Sequence, residues 1–221
     1  MASSETKRIA RRYDRWSYLY DFFDAAGPLG RGERRWRTLA AGKASTCKGW
    51  ILDAASGTGT MFKILGSQGL RTIVAIDASP KMAQKCKSES ARVGIDASIL
   101  LGDVTRLPLK DGSMACVVCV FSLTTIADPT GAVREFARVL KSGGRLVVLD
   151  TVRPDGRWAR LFHRFLVPVA RGFCKSRIDR ELYPILVSSG ELAVRSVETF
   201  AYGMVKIFEL VKMEVPARIA E

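Results

Sequence analysis

Residues 53 to 59 read Asp-Ala-Ala-Ser-Gly-Thr-Gly, an acid followed by side chains too small to fill space. They stand where an apolar run, "GWILDA", gives way to a helical pattern. Glycine at Gly57 and Gly59 allows the main chain to approach a ligand closely. A helix opening at Thr58 turns free amide groups and a positive dipole end toward that ligand. The next apolar run ends at Asp77, twenty positions after Gly57. An acid at that point accepts hydrogen bonds from ribose hydroxyls in nucleotide-binding sheets. Asp103 closes the third run in the same way. Alone, the glycine turn is equally a tight turn without a ligand, and Asp103 a turn or helix cap. Together the glycines and acids describe an adenosine-type ligand.

Other ligands fit the spacing poorly. A phosphate-binding loop needs Gly-Lys-Ser or Gly-Lys-Thr, and a dinucleotide fingerprint needs a third small residue where Phe62 stands. The single histidine, His163, cannot build a multi-histidine metal site. Five scattered cysteines argue against a disulfide framework. Cys116 and Cys119 form C-x-x-C, but inside the apolar run "MACVVCVF" their spacing points them to opposite faces of a strand.

The elements that must hold these residues follow from periodicity. "GWILDA", "TIVAID", "ASILLGD", "MACVVCVF" and "GRLVVLD" are rich in Val, Ile and Leu, and read as strands apolar on both faces. Between them lie the helices "TMFKILGSQ", "SPKMAQKCKSESARV" with Ser79 as cap and Pro80 in its first turn, and "DPTGAVREFARVLKSGG" with Asp128 as cap and Gly143 as stop. Strand and helix in alternation predict a doubly wound α/β fold. Basic helical segments near 155–175 and 179–189 follow. "ELAVRSVETF" and "MVKIFELVKME", joined by "AYG", then predict a terminal antiparallel pair. The length of 221 residues suits one domain.

The motif series "ILDAASGTGT", "AIDASPKMAQKC", "GDVTRLPLKDGSMACVVCVFSL" and "EFARVLKSGGRLVVLD" resembles, in order and spacing, that of the class I S-adenosylmethionine-dependent methyltransferases. The resemblance covers about residues 48 to 152, and the terminal strand pair matches as well. Ser56 departs from it, standing where many relatives have Gly or Cys. It implies a mostly parallel seven-stranded sheet with a C-terminal antiparallel pair and N-terminal covering helices. Lid helices would occupy 1–45, the cofactor core 48–152, a basic helical insertion 153–190 and the strand pair 191–213. The implied cofactor is S-adenosylmethionine. Backbone around Ala55, Ser56, Gly57 and Gly59 would hold its amino-acid end, with Asp53 also among the cofactor residues. Asp77 would bind both ribose hydroxyls, and Ala78 would lie against the adenine. Asp103 would accept from the adenine amino group beside the Val104 amide, while Phe121 and Ser122 would border the sulfonium and the acceptor.

Methyl transfer from a sulfonium is an in-line displacement that depends on positioning and exclusion of water. A phenolic carbon acceptor or a protonated amine also needs a base. Tyr20 and His163 are the candidates, with Tyr13, Asp14 and Asp21 beside Tyr20. "IARRYDRWSYLYDFFDAAGPLGRGERRWRTLA" is similar to two groups, the ubiquinone/menaquinone C-methyltransferases and the bacterial phospholipid N-methyltransferases. Both act on membrane-borne acceptors. The net charge of +13 implies an anionic partner. "KRIARRYDRW" and "GRWARLFHRFLVPVARGFCKSRIDR" interleave cations with Trp, Phe and Leu, as helices at an anionic membrane surface do. The bland alternative is that the aromatics face the core and the arginines are solvated. A soluble acceptor or RNA are the other readings. Against RNA, no base-methylating Asn/Asp-Pro-Pro-Tyr motif follows the fourth strand, where "FSLTTIADP" stands. The N-terminus lacks the apolar core of a secretory signal, so a cytoplasmic enzyme is expected, peripheral to the membrane.

Overall fold

Branched side chains favour extended backbone, and the five apolar runs form β1 (Ile51–Ala54), β2 (Ile73–Asp77), β3 (Ala97–Leu101), β4 (Met114–Val120) and β5 (Leu140–Thr151). The computed structural model describes residues 4–26, 30–154, 156–157, 159–161, 164–165, 167–168 and 177–214, with 16–26 and 30–31 described by backbone alone. Helices α1 (Ser4–Ala26) and α2 (Gly30–Ser45) precede the strands. Helices α3 (Met61–Ser67), α4 (Pro80–Val93) and α5 (Pro129–Val139) connect them. A short α6 (Leu182–Leu186) leads to β6 (Leu192–Phe200) and β7 (Val205–Lys212). Among the described residues these strands make one seven-stranded sheet of order β3-β2-β1-β4-β5-β7-β6. β1 to β5 run parallel, while β7 lies antiparallel between β5 and β6.

Alternation along the strands divides the core in two. Ile51, Ile73, Cys116, Val118, Val147 and Leu149 face α2, α3 and α4, whose Ala40, Phe62 and Cys86 are fully buried against them. Leu52, Val74, Val117, Cys119, Leu146 and Val148 face α5 and α6 through Phe136 and Leu186. The two cysteines of C-x-x-C thus serve opposite layers. Local signals act as expected in α4: Ser79 Oγ accepts from the Met82 N–H at 3.1 Å, Pro80 opens the helix, and Gly94 closes it at φ 69°.

Two expectations are corrected. α5 ends at Val139, short of Gly143, because fully buried Leu140 is already extended (φ −68°, ψ 138°) and pairs with Met114. Gly143, at φ 72°, lies within β5 instead. β3 is an edge strand with a half-exposed pattern, and its Leu101 is 61% exposed rather than covered on both faces. Most of the basic segment near 155–175 lies outside the described residues. Among the described residues no helix is long and apolar enough to cross a membrane.

α2 is fixed to the far strands by charge. Lys43 Nζ lies 2.7 Å from Glu198 and 3.2 Å from Glu209, and buried Glu209 also meets Arg145 at 3.1 Å. Burial raises the Glu209 carboxyl, but bonds from Lys43 and Ser196 and the nearby cations outweigh it and hold the carboxyl below its ordinary value. Lys43→Met leaves that carboxylate with less compensation. We expect a loss of about 2 kcal/mol in urea unfolding with an unchanged slope.

Candidate active site

Parallel strands deliver their C-terminal ends to one edge, and a cleft opens where the order reverses between β1 and β4. The two glycines after β1 have different reasons to be there. Gly57 lines the cleft at φ 55°, and a Cβ placed on it meets nothing within 4 Å. Gly59, at φ 84°, does not line the cleft. A Cβ there stands 3.2 Å from the Cys86 backbone and from the Phe62 ring, so the position is closed by packing against α4 and α3. Phe62 fills the place a third small residue would need, and it is fully buried.

Asp77 joins two segments. Its Oδ2 accepts from the Gly57 N–H at 2.9 Å and its Oδ1 from the Ser79 N–H at 2.8 Å. Burial pushes this carboxyl above its ordinary value, and the two N–H groups pull it part of the way back. Each oxygen retains capacity for a further donor. Asp103 also lines the cleft, while its Oδ1 accepts from the Thr105 N–H at 3.0 Å and the Thr105 hydroxyl at 2.8 Å. Both turn bonds fall on one oxygen, so capping does not exclude a ligand. Ala55, Ser56, Ala78, Val104, Phe121 and Ser122 complete this wall. Ala55 (φ 55°) and Phe121 (φ 51°) hold left-handed backbone without being glycine, at a cost of about 1–2 kcal/mol each.

Asp53 lies beneath the cleft rather than on its wall. Strand periodicity turns it to the Ile51 side, under α2, where it is 2% exposed and its Oδ2 has no hydrogen-bond partner. Burial raises its carboxyl to about 7; the Arg37 charge opposes the shift and Asp77 adds to it. Arg37 is the residue sequence reasoning passed over, having appeared only inside "RRWR". It is buried, lines the cleft, donates to Glu33 Oε1 from Nε at 3.1 Å and Nη2 at 2.6 Å, and stacks 5.3 Å over the Phe121 ring. Its signal was an arginine on the apolar stripe of Trp36, Ala40, Ala41 and Ala44.

From α1, Thr6, Ile9, Ala10 and Tyr13 form the opposite wall. Asp14 accepts from the Ser79 hydroxyl at 2.5 Å and the Lys81 N–H at 3.1 Å, so its carboxylate is committed to the α4 N-terminus. The backbone of Tyr20 belongs to α1, but its side chain is outside the described residues, as is His163 altogether.

Residues 52–148 match the family model described as "Methyltransferase domain". The demethylmenaquinone methyltransferase of Renibacterium salmoninarum is 33% identical over 161 residues, 72% of this chain and 65% of that protein. That of Beutenbergia cavernae is 31% identical over 169 residues, 74% of this chain and 68% of that protein. The chain belongs to the class I S-adenosylmethionine-dependent methyltransferases. It therefore spans about two thirds of the length of these curated relatives. The [4+2]-cyclase SpnF superimposes with a TM-score of 0.78 at 17% identity, over 94% of this chain and 97% of that one. That likeness shows the fold alone, and a fold shared with a cyclase does not choose a chemistry.

S-adenosylmethionine is the cofactor of this methyltransferase. The cleft suits a polar ligand with hydroxyls and charged ends: Arg37 lines it, the Gly57 Cβ position is open and Asp77 has acceptor capacity, while beneath the wall the buried Asp53 Oδ2 lacks a partner. Asp53 generates a pH prediction. Its carboxyl is raised in the folded state, so the folded protein binds more protons than the unfolded chain. Its contribution therefore lowers stability as pH rises from about 4 to about 7 and is constant above. Asp53→Asn should flatten the melting temperature against pH over that window, as read by calorimetry without ligand.

Proposed function

We propose that this methyltransferase acts on a lipophilic acceptor of the quinone-precursor or phospholipid type. The observation that carries the reading is the apolar wall facing the glycine turn, built from Ile9, Ala10 and Tyr13 of α1 with Phe121, Ile126 and Ala127 of the segment after β4. The names of the two curated relatives support a quinone-type acceptor. Leu161 and Phe165, four positions apart and 49% and 70% exposed, stand among exposed Arg157, Arg160 and Arg164. Apolar side chains flanked by guanidinium groups suit docking of this segment on an anionic membrane surface. Residues 1–45 serve in this reading as the cover over the 48–152 core of a single domain, working from the aqueous side.

Bound S-adenosylmethionine supplies a methyl group already activated on a sulfonium. The chain holds and orients it. Asp77 accepts from both ribose hydroxyls while keeping its bonds to Gly57 and Ser79. Asp103 and the Val104 amide meet the adenine, with Ala78 against the ring. The Gly57 turn, Asp53 and Arg37 receive the amino-acid end, the carboxylate of Asp53 toward its ammonium and the guanidinium of Arg37 toward its carboxylate. α1 covers the cleft and excludes water. Phe121 and Ser122 border the place where donor and acceptor meet, so the rate comes from alignment in a dry site. For an acceptor that must lose a proton, Tyr13 is the described titratable side chain on the apolar wall, with Tyr20 and His163 as the further candidates.

Asp77→Ala removes two charge-assisted bonds to the ribose, and calorimetric titration should show S-adenosylmethionine binding weakened about 100-fold. Normal affinity would refute that role. The acceptor is tested by incubating the enzyme with methyl-tritiated S-adenosylmethionine and a total cell extract, then partitioning between organic and aqueous phases. Label in the organic phase is expected. Label confined to soluble metabolites or RNA overturns the lipophilic reading and leaves the methyltransferase intact.

A further inference from the structure

Beside the cofactor cleft lies a second pocket that shares its wall at Ile9, Thr125, Ile126 and Ala127. Its charged lining is Arg8, Arg177 and Arg180 against Glu5. Glu5 meets Arg8 at 3.8 Å, both exposed, which leaves the pocket positive at Arg177 and Arg180. We propose that this pocket seats an oxyanion, a carboxylate or phosphate carried by the methyl acceptor, so that the substrate is both lipophilic and acidic. The proposal rests on the reading above in placing the acceptor on the Phe121–Ala127 side of the cleft.

The arginines are tied to the segment that borders methyl transfer. Arg180 Nη1 donates to the Ile126 carbonyl at 2.8 Å and to that of Leu123 at 3.4 Å, while the Arg177 N–H donates to the Thr124 carbonyl at 3.1 Å. Thr124 is itself held from below. Its N–H and hydroxyl donate to buried Asp150 at 3.0 and 2.9 Å. The Arg180 guanidinium and the Arg177 backbone are therefore placed by the same segment that aligns the acceptor, and an anion bound there fixes the acceptor's orientation relative to Ser122.

Electrostatics agree with that geometry. Arg180 is half-buried, and its pKa is lowered first by that burial and then by the charge of Arg177, against the pull of Asp179, Glu5 and Asp150. Two like charges on the wall of one pocket, one of them partly desolvated, favour an oxyanion between them, and a guanidinium fork matches carboxylate and phosphate oxygens. A neutral acceptor gains nothing from such an arrangement. Arg180 donates to main-chain carbonyls through Nη1, so part of its role is structural. Arg177 is exposed and bonds the segment through its backbone N–H, which leaves its side chain the cleaner probe.

The test titrates phenyl phosphate into full-length enzyme saturated with S-adenosylhomocysteine, with phenol as the uncharged control and inorganic phosphate as the free anion. Phenyl phosphate should bind at least tenfold more tightly than phenol and weaken as salt is raised. Arg177→Gln and Arg180→Gln should each weaken it about tenfold, Arg177→Lys less, with S-adenosylhomocysteine affinity within twofold of wild type in the Arg177 variants. Equal binding of phenol and phenyl phosphate, or an unchanged Arg177→Gln, overturns the proposal. Labelled product from the extract assay, run on an anion exchanger, separates the sources. Retained label from the organic phase supports a lipid-borne oxyanion. Retained label from the aqueous phase keeps the subsite and overturns the lipophilic reading. Product that carries neither a carboxylate nor a phosphate by mass spectrometry overturns the subsite and leaves the methyltransferase standing.

Discussion

One carboxylate organises this cleft. Asp77 holds the glycine turn through Gly57 with one oxygen and the start of α4 through Ser79 with the other. Two strands that merely lie side by side in the sheet are thereby locked together at their C-terminal ends, on the wall of the cleft. Ser79 then carries the connection outward, since its hydroxyl caps α4 and also bonds Asp14 of α1. Turn, helix N-terminus and cover form one hydrogen-bonded unit, and the wall opposite the turn is in place because of it.

Around that unit the protein tolerates unfavourable local terms. Asp53 is buried with an oxygen unpartnered, Arg37 is buried on an otherwise apolar helix face, and Ala55 and Phe121 hold backbone conformations that suit glycine. Sites that bind polar ligands concentrate such costs, because groups prepared for a ligand cannot be fully satisfied by the protein alone. Phe121 joins two of these features, its backbone strained and its ring stacked under the Arg37 guanidinium.

The sheet was legible in the sequence because burial on both faces writes continuous Val and Ile runs, and α4 because Ser79, Pro80 and Gly94 each act through their immediate neighbours. The acids at strand ends were legible for the same reason: Asp53, Asp77 and Asp103 interrupt apolar runs. What was not legible depends on contacts distant in sequence. The exit from α5 was misplaced at Gly143 because the pairing of Leu140 with Met114 overrides the glycine signal. Gly57 and Gly59 look alike in the chain, and only the packing of Phe62 and Cys86 against one of them separates ligand clearance from tight packing. The arginines at 177 and 180 read as part of a general basic surplus. Their bonds to carbonyls of residues 123, 124 and 126 give them a specific place.

The position of β7 has a further consequence. It is the last strand in the chain order described, yet it occupies an interior place in the sheet, with β5 on one side and β6 on the other. During synthesis the five parallel strands and the glycine turn emerge first, and until residue 212 follows, the flank of β5 from Arg145 to Thr151 is an unpaired template open to any extended chain. β6 and β7, joined at Ala201–Gly203, pair with each other and cover that flank once β7 is made. The nascent protein can thus assemble its ligand cleft before it is protected from self-association, and the interval between the two is when a chaperone has most to do.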